Sequence, residues 1–121
     1  MSKYRFGRTK DTITLAHGAS ATTAVKALSS TSEYNGSLTE VFITTPAAVD
    51  GSATMTLNIL DADGNIIYTK ASLAANSTTK DLLTNDNRVP LSGALTLQVV
   101  YSAAQTTADR TATVVLLIDK G

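Results

Sequence analysis

The sequence predicts an all-β fold: a single-domain antiparallel β-sandwich of about eight strands, Ig-like or jelly-roll in topology. Its length of 121 residues fits one domain. Short segments with a two-residue apolar period recur along the chain, and turn-forming residues separate them. No segment has the apolar spacing of an amphipathic helix. These three observations favour two packed sheets over any fold built on helices.

The clearest predicted element is a β-hairpin at residues 52–70. In its first half, polar residues alternate with four apolar ones, namely Ala53, Met55, Leu57 and Ile59. This period is typical of a strand that buries one face. The run Asp61-Ala62-Asp63-Gly64-Asn65 is rich in turn formers, and its Gly can take a positive φ. Ile66 to Lys70, β-branched and aromatic, then predict the return strand. We expect Leu57 and Ile59 in the core and Thr56 on the opposite face.

The other strands follow from the same reasoning, applied in chain order. Six further segments of β-forming residues predict strands, at 12–15, 22–28, 39–45, 78–83, 95–101 and 111–118. Between them, Gly, Pro, Asn, Asp and Ser predict turns and loops, including 29–36, 84–90 and 102–109. The order of the strands within the sheets stays open at this point.

The last predicted strand differs from the others because it is apolar on both faces. Its sequence is Val114-Val115-Leu116-Leu117-Ile118. Either its own chain covers both faces, for example through the N-terminal segment, or the second face meets another subunit. Under the second explanation, Val115 and Leu117 are candidate partner-binding residues.

The first ten residues form a predicted basic arm, residues 1–10, ahead of the sandwich domain, residues 11–121. Four cations lie in the arm and no acids, so the rest of a chain with net charge +0 carries −4. In an extended arm the aromatic and basic side chains would alternate between two sides. A frayed end or nucleic-acid contact would also fit, but the remaining chain is not basic. We expect a protein-docking anchor that includes Lys3, Tyr4, Arg5, Phe6 and Arg8.

Membrane and secretory segments are not expected. No apolar core of a signal peptide follows the basic start, and no run approaches the roughly 20 apolar residues that span a bilayer. The sequence therefore predicts a soluble protein that is made in the cytosol.

Candidate catalytic and metal-binding groups are few. His17 is the only histidine, cysteine is absent, and the seven glycines do not form a phosphate loop. Acidic residues alternate at Asp61 and Asp63, but a calcium loop counted from Asp61 would need Gly at position 6 and Glu at position 12. Gly64 and Ser72 do not satisfy that spacing. We expect no enzymatic activity, no cofactor and no metal site.

The chain resembles small structural proteins of tailed-phage virions, most closely capsid decoration (cement) proteins. The resemblance is one of amino-acid composition over most of the chain, which lacks Cys and is rich in Thr and Ala. The segments that carry it are Leu57-Asn58-Ile59-Leu60-Asp61-Ala62-Asp63-Gly64-Asn65 and Thr113-Val114-Val115-Leu116-Leu117-Ile118. It implies a protein that binds the outer capsid shell at symmetry-related sites, often as an oligomer. The N-terminal arm and one loop end would then be the docking surfaces.

These expectations combine into one functional hypothesis. The chain is expected to be a non-enzymatic virion protein that stabilises the outer surface of a phage capsid through protein–protein contacts. Its partner would be the major capsid protein or another virion protein, and it would form a homo-oligomer. The alternatives are a tail or head-tail accessory protein, or a carbohydrate-binding or adhesin-like β-sandwich module. The absence of Trp argues against a sugar-binding platform.

Overall fold

The structure, a computed structural model, describes residues 6–18, 22–27, 36–84, 87–91 and 93–119. Within these ranges the chain forms nine β-strands and a short 3₁₀ turn, Asp50–Ser52. The strands are β1 (Phe6–Leu15), β2 (Thr23–Ala27), β3 (Gly36–Thr44), β4 (Met55–Leu60), β5 (Ile66–Leu73), β6 (Thr78–Leu82), β7 (Val89–Leu91), β8 (Thr96–Tyr101) and β9 (Arg110–Asp119). No helix in the described part of the chain is long and apolar enough to cross a membrane.

The strands form two antiparallel sheets that pack face to face. Sheet A has the order β1-β9-β3-β6, with β7 also paired to β3, and sheet B has the order β2-β8-β4-β5. The first strand therefore lies beside the last, and the chain crosses between the sheets several times. This order is that of a jelly roll. The predicted all-β sandwich is confirmed, and of the two topologies left open it is the jelly roll.

The predicted hairpin is confirmed as β4 and β5, which pair antiparallel. Leu57 and Ile59 are fully buried between the sheets, as expected. In the turn, Asp61 Oδ1 accepts hydrogen bonds from the backbone N–H groups of Asp63 and Asn65, at 3.0 and 2.9 Å. Gly64 has φ +83°, which a residue with a side chain rarely adopts. The turn is held by its own carboxylate and backbone.

Polar contacts close the two open sides of the sandwich. On one side, Lys26 of β2 reaches sheet A, where its Nζ donates to the Thr12 carbonyl at 2.9 Å and lies 3.7 Å from Asp11. On the other side, the Tyr68 hydroxyl donates to Asp81 at 2.6 Å. Burial raises the pKa of Tyr68, and the neighbouring Asp81 carboxylate raises it further. Each bridge joins an edge strand of one sheet to an edge strand of the other.

Two regions differ from the sequence-based expectation. β1 begins at Phe6, so residues 6–10 of the predicted arm are part of sheet A and pair with β9 from Asp119 to Val115. Backbone pairing with the long last strand extends β1 well beyond the apolar segment 12–15. The second difference is β7, which lies partly in the predicted loop 84–90 and contains Pro90. A proline is tolerated there because β7 is a short edge strand.

Candidate functional site

The outer face of sheet A, which points away from the core, carries a group of apolar and cationic side chains. The register places Arg8 of β1 opposite Leu117 of β9, and Lys10 opposite Val115. On the other side of β9, Val115 is opposite Phe42 of β3. Directly paired residues point to the same face of a sheet, so these five side chains are neighbours. We call them, Arg8, Lys10, Phe42, Val115 and Leu117, the Val115 face.

The apolar centre of this face exists because two adjacent strands are apolar on both sides. In β9, Val114, Leu116 and Ile118 are buried in the core, while Val115 and Leu117 point outward. In β3, Val41 and Ile43 are buried in the core and Phe42 points outward. The side chains around Val115 leave only 9% of it exposed, although it lies on the outer face. A lone valine on a solvated sheet would be far more exposed.

Around this centre the surface is concave. A depression of about 570 Å³ has an apolar floor of Phe42, Val115 and Leu117 and a cationic wall of Arg8 and Lys10. Three threonines of β3, β6 and β9 close its opposite end, Thr44, Thr78 and Thr113. Thr44 and Thr78 are hydrogen-bonded to each other at 3.2 Å. The size falls in the range of binding pockets, and the depression is open to solvent rather than enclosed.

The depression continues into a second hollow of about 360 Å³ on the β6 side. Leu117 lines both, and Leu82 lines the second with 57% of its surface exposed. Glu40 pairs with Leu117 on one side and with Leu82 on the other, so a charged residue separates the two apolar side chains. The contiguous apolar surface is therefore the floor of the first depression, and such surface is typical of interaction sites.

The charges on this face divide into paired and unpaired groups. Lys80 lies 3.8 Å from Glu40 and 5.7 Å from the centre of the Phe42 ring, and Arg88 lies 3.5 Å from Asp119. Arg8 and Lys10 are exposed. Neither forms an ion pair or side-chain hydrogen bond with another described residue. These two cations are the charged groups of the face that the described chain leaves uncompensated.

The structure brings together three of the predicted partner-binding residues, Arg8, Val115 and Leu117. Phe6 begins β1 and pairs with Asp119. Lys3, Tyr4 and Arg5 lie outside the described residues. Whether any of these residues binds a partner stays a prediction.

Sequence reasoning missed Lys10 and Phe42 as members of the site. A signal for Phe42 existed, because Val41-Phe42-Ile43 is apolar without alternation, as β9 is. Lys10 belonged to the predicted basic arm 1–10, but only the register of β1 against β9 places it beside Val115.

His17 lies at the end of β1, apart from the Val115 face, and is paired with a carboxylate. Its Nδ1 is 2.6 Å from Asp109 Oδ1, which also accepts a hydrogen bond from the His17 backbone N–H at 3.0 Å. The two hydrogen bonds from His17 lower the pKa of Asp109. This partner was not foreseen from the sequence. In the part of the chain described, no hydroxyl hydrogen-bonds the imidazole, so the nucleophile of a catalytic triad is missing from the pair.

A second carboxylate, Asp50, is held in a dense network near the same end of the sandwich. Its oxygens accept from the Thr107 hydroxyl at 2.6 Å, the Thr106 backbone N–H at 2.6 Å and the Arg110 guanidinium at 2.7 Å. These bonds, with that from Thr107 the largest contribution, lower the pKa of Asp50. Buried Gln105 accepts from the Asp50 backbone and from Arg110. The network joins the 3₁₀ turn to the connection between β8 and β9, so its groups are already satisfied.

Metal-ligating side chains are not clustered in the ranges that the structure covers: no three of His, Cys, Asp and Glu lie close enough together to hold an ion. At the turn of the central hairpin, hydrogen bonds chiefly from the Asn65 backbone lower the pKa of Asp61. Its carboxylate stays charged at neutral pH and is used within the turn.

Comparison with solved structures finds the same fold in two chains of viral particles. The VP2 subviral particle of infectious bursal disease virus matches with a TM-score of 0.55 and 15% identity over 98% of this chain. The chain spans only 34% of that VP2 chain. A chain of the acid-stable capsid of Helicobacter pylori bacteriophage KHP30 matches with a TM-score of 0.52 and 14% identity, over 96% of this chain and 89% of that one. At these identities the likeness shows a shared fold.

The other comparisons add no family assignment. A CBM36 domain of a multidomain xylanase from the Trinervitermes trinervoides hindgut metagenome covers 90% of this chain, at a TM-score of 0.43 and 13% identity. No family model matches the chain, and no curated protein matches it.

Proposed function

We propose that this chain is a non-enzymatic structural protein of a phage virion, which decorates and stabilises the outer surface of the capsid. The observation that carries the proposal is the Val115 face, an apolar concave surface on a jelly roll that has no second layer over it in the described structure. The likeness in fold to capsid-protein domains supports the same conclusion. The partner would be the major capsid protein.

The mechanism we propose is binding alone. Apolar side chains of the capsid surface would fill the depression over Phe42, Val115 and Leu117 and exclude water from it. Interfaces of this kind take most of their energy from a few central, well-packed residues. Val115 lies at the centre of the face, between β1 and β3, so it is the residue at which substitution should weaken attachment most.

The test is attachment of purified variants to emptied capsids of the phage that encodes the chain, measured by co-sedimentation and electron microscopy. We expect Val115→Lys to weaken attachment at least about tenfold, a change of about 1.4 kcal/mol or more. The matched control is Val25→Lys, since Val25 is 63% exposed on the outer face of sheet B. Val25→Lys should change attachment by less than about twofold. Thermal unfolding of each variant checks that the sandwich remains folded.

A second substitution separates lost binding from lost folding. Val115→Thr keeps nearly the same volume and replaces a methyl group by a hydroxyl, so it leaves the strand pairing in place. It should weaken attachment less than lysine does, but more than Val25→Thr. Equal attachment of all variants would exclude the Val115 face as the docking surface. If the unchanged protein fails to attach and instead binds immobilised polysaccharide, the carbohydrate-binding alternative replaces this proposal.

A further inference from the structure

The charged side chains on the outer face of sheet A indicate the chemistry of the surface that docks there. Within the described structure, the outer face of sheet A carries four cations and two carboxylates: Arg8, Lys10, Lys80 and Arg88 against Glu40 and Asp119. The two carboxylates have cationic neighbours in the same chain, at 3.8 Å for Glu40 and 3.5 Å for Asp119. The surplus of two positive charges lies on β1, at one side of the depression.

Covering this face would remove Arg8 and Lys10 from water. An unpaired charge at a buried interface is costly, and the cost falls only when the partner supplies opposite charge with hydrogen bonds. We propose, on the basis of the proposed function, that the capsid segment which docks here is acidic. It would present two carboxylates to Arg8 and Lys10 and one or two apolar side chains to the depression beside them.

The spacing of the two cations restricts the partner further. Arg8 and Lys10 are alternate residues of one strand, so their backbone positions lie about 7 Å apart on the same face. Alternate residues of an extended partner segment have the same spacing. Such a segment, with acidic residues at positions i and i+2, matches both cations along β1. Arg8 can bind a carboxylate through two parallel N–H groups, whereas Lys10 acts as a compact point charge.

Two other occupants fit this face less well. A second copy of the chain, docked through the same face, would bring a second surplus of two positive charges against the first. A nucleic acid would supply negative charge, but phosphates gain nothing from the apolar floor, and Glu40 and Asp119 on the same face would repel them. An acidic, partly apolar protein segment satisfies both features at once.

The experiment compares charge reversals in the same attachment assay, with emptied capsids tested both before and after nuclease treatment. We expect Lys10→Glu and Arg8→Glu each to weaken attachment at least about tenfold. The control is Lys70→Glu, which makes the same change of charge on β5 of sheet B and should alter attachment less than about twofold. Because Lys70 pairs with the buried Leu57, thermal unfolding checks that this variant stays folded. Attachment of the unchanged protein should weaken with added salt, and the Lys10→Glu variant should show a smaller salt dependence.

The outcomes separate this inference from the function on which it rests. Failure of the unchanged protein to attach overturns both. Attachment that Val115→Lys abolishes and Lys10→Glu leaves unchanged overturns only the acidic partner. Loss of attachment after nuclease treatment would make nucleic acid the occupant. A wild-type oligomer that Val115→Lys reduces in size by sedimentation would place a second copy on the face, and either result overturns the inference.

Discussion

The outer faces of the two sheets differ in the side chains at their centres, which are polar and hydrogen-bonded on sheet B and apolar on sheet A. On sheet B, a row of polar side chains runs across the strands: Asn58 donates to Gln98 at 2.8 Å and accepts from Thr69 at 2.7 Å. Asn58 is only 7% exposed, yet its amide is satisfied on both sides by its own sheet. On sheet A, the corresponding central position is Val115, equally hidden but surrounded by apolar and cationic groups.

The two outer faces differ in how much free energy a bound partner would gain from contact with them. A polar row that is already hydrogen-bonded offers a partner no unsatisfied group, and burying it further gains little. An apolar depression beside two uncompensated cations gains both from removal of water and from added negative charge. The outer face of sheet B therefore has its central polar groups hydrogen-bonded within the chain. The Val115 face instead has an apolar depression and two cations that would gain from contact with a partner.

The largest expected effect concerns the inner face of a sheet, because the comparison of outer faces requires that the opposite face of each sheet is buried. Leu57 is fully buried on the inner side of β4, and Leu57→Ala should lower the free energy of unfolding by about 2–5 kcal/mol, because a cavity remains in the core. Its neighbour Thr56 points to the outer side, and Thr56→Ala should cost less than about 1 kcal/mol. Urea denaturation measures both, and equal losses would mean that inner and outer faces have been exchanged.

A substitution on the outer face of sheet B should lower stability by an intermediate amount without weakening attachment to capsids. Asn58→Ala removes the partner of Gln98 and Thr69 and should lower the free energy of unfolding by about 1–2 kcal/mol, since two polar groups lose a hydrogen bond. Attachment to capsids should stay unchanged at temperatures at which the variant is folded. The control is Thr78→Ala, which removes an exposed hydrogen bond at the edge of the Val115 face and should cost less than about 0.5 kcal/mol. If Asn58→Ala weakens attachment as much as Val115→Lys does, the faces do not differ in the way described.

The smallest effect uses two exposed apolar residues, one for each sheet. Leu82 lies on β6 of sheet A beside the second hollow, and Val25 lies on β2 of sheet B. Leu82→Ser and Val25→Ser should each change the free energy of unfolding by less than about 0.5 kcal/mol, because both side chains are already in water. Only Leu82→Ser should weaken attachment, by about two- to fivefold, as expected for a residue at the rim of an interface. Equal attachment of the two variants would confine the interface to the five residues of the Val115 face.

Patterns among residues close together in the chain were enough to predict the class of fold and which side chains of β4 face the core. Alternation from Ala53 to Ile59 predicted which residues of β4 enter the core, because a strand directs successive side chains to opposite faces. The continuous apolar run of β9 predicted a strand that is hidden on both faces, and it singled out Val115 and Leu117. Local turn chemistry placed the hairpin at Asp61–Asn65. All of these are properties of residues close together in the chain.

The pairing of strands that are distant in sequence, and therefore the composition of the candidate site, follows from the folded structure and not from local patterns. Arg8 and Leu117 belong to opposite ends of the chain, and Phe42 lies far from both in sequence. No local period encodes such pairings, because register between distant strands is chosen by the ladder of backbone hydrogen bonds and by burial of the whole inner face. The same long-range pairing extended β1 back to Phe6 and gave the short strand β7 a place beside β3. Because of this pairing, Arg8 and Lys10, which were expected in an N-terminal arm, line the wall of the depression on sheet A.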